Sequence, residues 1–211
     1  MTRRCANDRG VAILQVLMLL TVLMAVAEGA ALVARVEVRV SRFHRSERDA
    51  VYAAQAMLAA SLQELERAED WDAVLAGARV AAFVDGPADM PRPIPGAGTV
   101  NVCCAAGSLT ARMRAESGQP WQIFAWQSLS GLLNVPDAPR HYVAAWVLDD
   151  RDDSDGNPLA DSNERIAMRT ESVSAFGVRK TLETVVSRGP LDLATGSRPP
   201  GLELLLWRAV R

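Results

Sequence analysis

Residues with metal or redox chemistry are scarce in this chain of 211 residues, which has two histidines and three cysteines. His44 and His141 are isolated from each other, so no histidine-based metal site is indicated. There is no Cys-x-x-Cys and no zinc spacing. Cys5 lies near the start, while Cys103 and Cys104 are neighbours. Adjacent cysteines close a strained ring only rarely, so the pair reads as two small residues on a strand, one buried and one not. An extracytoplasmic site would also permit a vicinal disulfide or a pairing with another chain. A net charge of −2 leaves no basic field for nucleic acid and no acidic tail. Gly-x-Ser-x-Gly, His-Glu-x-x-His and phosphate-loop motifs are missing, and with them the usual signatures of an enzyme. No proline occurs between Met1 and Phe83, so nothing in that stretch must break a helix.

What the chain does have is an unusual start. A polar leader, Met1 to Gly10, carries Arg3, Arg4 and Arg9, and an apolar run from Val11 to Ala34 follows. Basic residues before such a run hold that end in the cytoplasm, and about 20 apolar residues suffice to cross a bilayer. Three readings fit. One is a secretory signal peptide cut after Ala27, since Ala25-Val26-Ala27 offers small residues. The second is an uncut anchor. The third is a segment cut on the cytoplasmic side of the apolar run, after a very short leader that ends in Arg9-Gly10. The third is favoured because the helical pattern does not stop with the apolar run. Val51, Ala54, Leu58, Leu62 and Leu65 follow at three- and four-residue steps among good helix formers. A helix from Val11 to about Asp70 would be roughly 90 Å long at 1.5 Å per residue. A discarded signal peptide has no reason to run in phase into the first helix of the mature protein.

Beyond the helix the pattern changes. Gly86-Pro87, Pro91, Pro93 and Pro95 form an extended loop. Thr99 to Cys104 and Leu109 to Ala115 read as short strands, and Trp121 to Trp126 as strand or short helix. Tyr142 to Leu148 reads as a strand, Arg165 to Ala175 and Val178 to Arg188 as a hairpin across Phe176-Gly177, and Leu202 to Val210 as a last strand. The fold class is therefore α+β: a long N-terminal helix packed on an antiparallel sheet in one two-layer core. Trp71, Trp121, Trp126, Trp146 and Trp207 read as packing anchors. The organisation is residues 1–10 as leader, 11–34 as transmembrane half-helix, 35–72 as the amphipathic half, and 73–211 as a β-rich globular part.

Between two of these strands, Asp149 to Asn163 concentrates oxygen donors. Calcium takes six to eight oxygens, and Asp153, Asp155, Asn157 and Asp161 are the best-placed ligands, with Gly156 allowing a tight turn. The stretch lacks the spacing and closing glutamate of an EF-hand. The competing reading is a solvated acidic turn, because Asx residues are common in turns.

The leader junction Arg9 to Leu14, the second helix half at Ala50 to Ala60, the acidic stretch and the strand pair after it together resemble type IV filament proteins. Among these the chain is most similar to PilX-type minor pilins, and next to the large minor pseudopilin of type II secretion. The likeness covers both ends; residues 86–141 match only loosely. The resemblance implies cleavage after Gly10 by a prepilin peptidase and methylation of the Val11 amine. It implies an inner-membrane, single-pass precursor with a periplasmic C-terminal part, later moved into an extracellular filament. The implied partners are other major and minor pilins or pseudopilins. The chain departs from the family at Gln15, where such subunits usually carry a glutamate that meets the free amine of the subunit above. Glutamine cannot neutralise an amine, whereas a tip or priming subunit has none above it. Glu28, followed by Gly29, is a second polar residue in the apolar half. Such a group faces protein rather than lipid, or lies near enough to the membrane surface to reach water. A membrane-anchored periplasmic binding or adhesin domain, and a pseudopilin, are the alternatives to a minor pilin.

Overall fold

The computed structural model describes residues 8–94, 98–153, 156–189 and 201–210, with backbone alone at 8–10. The leader residues 1–7, and Asp155 among the expected calcium ligands, lie outside the described residues. Two units divide at Arg45/Ser46. The first helix, α1 (Asp8–Glu66), runs through that boundary. It begins before Val11, so the junction Gly10–Val11 lies within its opening turns.

In the first unit every described side chain from Val11 to Arg45 is exposed, although most from Val11 to Ala34 are apolar. An apolar stripe buries only one face of a helix, but here residues all round are apolar, the composition of a helix meant for an apolar surrounding.

The second unit begins with the buried side of α1: Ser46, Ala50, Ala53, Ala54, Met57, Leu58, Ser61 and Leu65, at helical spacing. The expected stripe is shifted slightly. Ala54, Leu58 and Leu65 are buried, but Val51 and Leu62 only half so. Small residues and two serines do much of the facing, and hydropathy does not mark them. α1 stops at Glu66 and not near Asp70, because Asp70 caps a new short helix, α2 (Trp71–Leu75), its carboxylate accepting from the Ala73 N–H at 3.1 Å.

There follow β1 (Arg92–Ile94) and β2 (Gly98–Val100), paired antiparallel, then α3 (Leu109–Ser117), β3 (Gln122–Ser128), α4 (Leu129–Leu133), β4 (His141–Asp149), β5 (Arg165–Ser174), β6 (Arg179–Arg188) and β7 (Leu202–Val210). β3 to β7 form one antiparallel sheet in sequence order. The expected hairpin of β5 and β6 is present, turning at Gly177 with φ of +74°.

Four expectations need correction. Leu109 to Ala115 is helix, not strand, because Ser108 caps its start and Gly118, left-handed at φ +65°, closes its end. The strand expected over Thr99 to Cys104 ends at Val100. Cys103 and Cys104 lie in a turn joined by a vicinal disulfide, and neither is buried. Trp207 is half exposed, because β7 is an end strand; the other four tryptophans are buried.

Nor is the core a single two-layer one. One face of the sheet, with Val143, Ala145, Val147, Ile166, Met168 and Val186, packs on α1 and α2. The other, with Tyr142, Ala144, Trp146 and Leu148, packs on Leu109 and Met113 of α3, Trp121, and Ile94 and Val100 of the β1–β2 pair. All nine residues of β4 are therefore buried. Trp146 Nε1 donates to Thr110 Oγ1 at 2.9 Å, so the far layer satisfies the indole it covers. On the near side Thr170 Oγ1 donates to the Ala54 carbonyl at 3.1 Å. Arg188 lies over the Trp71 ring at 4.4 Å and donates to the Glu69 carbonyl at 3.0 Å, tying β6 to the chain just after α1.

Candidate functional site

Two places hold the residues singled out above, and they fall in different units. In the first unit, the part of α1 that follows Gly10 is long and apolar enough to cross a membrane by length and composition. Gln15 and Glu28 are both exposed on it. Thr21 turns its hydroxyl back to the Met18 carbonyl at 2.8 Å, the usual way a hydroxyl is satisfied inside an apolar helix. A Cβ added at Gly29 would meet nothing within 4 Å, so that glycine is not required by any contact in this chain.

In the second unit the loop between β4 and β5 brings together Asp149, Asp153 and Asp161, with carboxylate oxygens within 4.8 Å of one another. β4 positions Asp149 as its last residue, 8 % exposed. Asp153 accepts from both the backbone and the hydroxyl of Ser162, at 2.8 and 2.5 Å. Asp161 Oδ1 accepts from the Arg165 and Asn163 N–H groups at 3.0 and 3.3 Å, while Oδ2 is buried without a hydrogen-bond partner among the described residues. The Asp161 N–H donates to Asp72 of α2 at 2.8 Å, and Asn163 donates to Asp150 at 2.7 Å. The loop is thus ordered by its own carboxylates acting as acceptors.

Burial raises the Asp161 carboxyl above its ordinary value, and the Arg165 N–H pulls it partly back. A carboxylate held this way beside two others is a place where positive charge would be favourable. Of the expected ligands, Asp153 and Asp161 come together. Asn157 is exposed, and its side-chain oxygen accepts from the Leu159 N–H at 3.2 Å in an Asx turn. Asp149 was not among the best-placed ligands expected, although it opens the acidic stretch at the end of an apolar strand. Three carboxylates fit the oxygen chemistry of calcium in type; with one oxygen from each they supply three of the six to eight it takes, so a bound ion here would draw the rest from their second oxygens, backbone carbonyls or water. No protein-family model, curated protein or solved structure matches this chain.

Proposed function

We propose that this chain is a minor pilin acting in type IV pilus assembly, at the filament tip or in a priming complex. The observation that carries this reading is one helix of 59 residues whose first half is apolar and exposed while its last turns pack on a five-stranded antiparallel sheet. The first half suits a bilayer before assembly and a bundle of like helices after it. Moving from lipid to such a bundle gains little, because lipid is already apolar, so extraction needs an energy source elsewhere in the system. Close packing and the few polar groups must then supply the specificity, which directs attention to Gln15.

In this reading a prepilin peptidase cuts after Gly10, and the new amine on Val11 is methylated. The acidic loop serves the fold and not catalysis, fixing the β4–β5 connection to α2 through Asp161 and Asp72. Calcium held by Asp149, Asp153 and Asp161 would reinforce that connection. Mass spectrometry of the mature N-terminus tests the assignment. An N-methylated Val11 is expected. A product starting at Glu28, or an intact leader, would replace the filament reading by a secreted or simply anchored domain.

A further inference from the structure

Most exposed apolar residues of the second unit are scattered singly or in pairs, but four are consecutive. Leu204, Leu205, Leu206 and Trp207, consecutive on β7, are 50, 43, 41 and 50 % exposed. β7 ends the sheet, and among the described residues no strand pairs with its outer edge. An open edge flanked by apolar side chains on both faces is what proteins avoid unless something covers it.

The register on β6 shows which β7 residues share a face. Directly opposed residues of an antiparallel pair lie on the same side. Leu202, Leu204, Trp207 and Ala209 oppose Arg188, Val186, Thr184 and Leu182 on the side that packs on α1. Glu203, Leu206 and Arg208 oppose Ser187, Val185 and Glu183 on the other. Leu205 is the extra residue of a bulge.

That bulge makes the strand complementary to itself. If a second β7 runs antiparallel with Leu204 opposite Trp207, then Glu203 falls opposite Arg208 and Leu202 opposite Ala209, each pair on a shared face. Without the bulge these pairs would fall on opposite faces. Both charges meet their opposites twice, once on each side of the axis. Arg208 already bonds Glu183 at 2.5 Å, yet its side chain is 54 % exposed and keeps donors to spare. We propose that two copies of this chain pair through the outer edges of β7 about a two-fold axis between Leu205 and Leu206. The two sheets then continue as one, the apolar Leu204–Trp207 pairs are repeated by symmetry, and four charged side chains set the register. The inference rests on β7 and not on the filament reading. In the second unit α1 runs the same way as β6, from Glu47 at Lys180 to Ala68 at Arg188, so the two-fold axis sets these parts of the two helices antiparallel, and the pair is an assembly other than a filament of parallel helices.

Cross-linking tests it on the full chain in detergent, with Cys5→Ser removing the leader thiol and Cys103 bonded to Cys104. Leu204→Cys and Trp207→Cys are prepared separately, oxidised alone, then mixed and oxidised. In the proposed register position 204 lies opposite 207, whereas two copies of position 204 are about 8 Å apart, two rungs of roughly 3.3 Å along the strand and one strand spacing of about 4.8 Å across. The mixture should give several-fold more disulfide-linked dimer than either variant alone. Glu203→Arg, which sets arginine against arginine at both ends, should remove that dimer from the mixture while leaving the circular dichroism unchanged. Equal cross-linking in all samples, or none, overturns the proposal, since contacts through the apolar helix or a strand from another protein would give those results. Should a cysteine variant not fold, the mass of the unmodified chain by light scattering decides. A dimer that Glu203→Arg turns into a monomer supports the edge; a mass that does not change sinks it.

Discussion

Asp161 carries two opposing demands. Its Oδ1 is required by two backbone N–H groups, while burial penalises the charge it brings. Because its carboxyl is raised in the folded state, the folded chain holds that proton more readily than the unfolded one. The ionised group therefore costs stability at neutral pH, and the cost is relieved as pH falls through the raised value. Asp161→Asn keeps an oxygen for the two N–H groups and removes the charge. It should melt about 1–3 °C higher than the parent at pH 7 in chelator, a change of less than about 1 kcal/mol. If calcium sits on these carboxylates, adding it should raise the midpoint of the parent and not of Asp161→Asn. Midpoints that ignore calcium in both would leave the loop as a solvated turn. His141 has the opposite sign. It is buried at the start of β4 beside Ser172, at 3.0 Å, and burial lowers its pKa from the ordinary 6.5 while Asp49 pulls it back up. A lowered histidine favours the fold above its unfolded value and loses that contribution as pH falls through its folded value. Urea midpoints of His141→Gln should thus fall less than those of the parent between pH 7 and pH 5.

At the scale of elements, α3 shows how two residues can decide a structure. Leu109, Ala111, Met113 and Ala115 alternate with polar residues, which is the period of a strand. The caps override that pattern. Ser108 is 1 % exposed, and its hydroxyl accepts from the Ala111 N–H at 3.2 Å. Gly118 holds φ +65°, and a Cβ there would touch nothing. Gly118→Ala therefore isolates the backbone cost of the left-handed turn, about 1 kcal/mol, and Gly118→Asn should cost less. Ser108→Ala should cost about 1–2 kcal/mol by urea denaturation, because it leaves a helix N–H without its acceptor. The same contrast separates what the sequence discloses from what it hides. α1, β4, the β5–β6 hairpin and β7 are legible because periodicity and the turn at Gly177 are local. Burial of β4 on both faces is not, since it depends on α3 and the β1–β2 pair folding onto the sheet. The exposure of Trp207 follows from strand order, which no window of residues contains. Asp149 joins the acidic cluster only because the loop returns Asp161 to the end of β4. At Asn157 the oxygen that makes it a candidate ligand in the sequence also accepts from the Leu159 N–H, because an Asx turn and an oxygen donor use the same side chain.

For the whole molecule, the filament reading turns on a charge that the chain creates only after processing. Cleavage after Gly10 would leave an amine at Val11, at the beginning of a helix whose described side chains are exposed and largely apolar up to Ala34. Packed among similar helices, that amine loses water, and a buried ammonium without a counter-charge costs roughly 3–5 kcal/mol. A subunit in the shaft must offer a carboxylate to the amine above it, and Gln15 has none. At about 1.4 kcal/mol per tenfold, that difference would exclude this chain from shaft positions by a factor of a hundred or more, yet cost nothing at the tip. Gln15→Glu should lift the exclusion. With an epitope placed in the second unit, gold labelling of filaments should move from ends alone to positions along their length. Labels still confined to ends would show that the second unit, and not position 15, sets the placement. Labels on neither parent nor variant filaments, with both chains retained in the inner membrane, would remove the chain from the filament altogether.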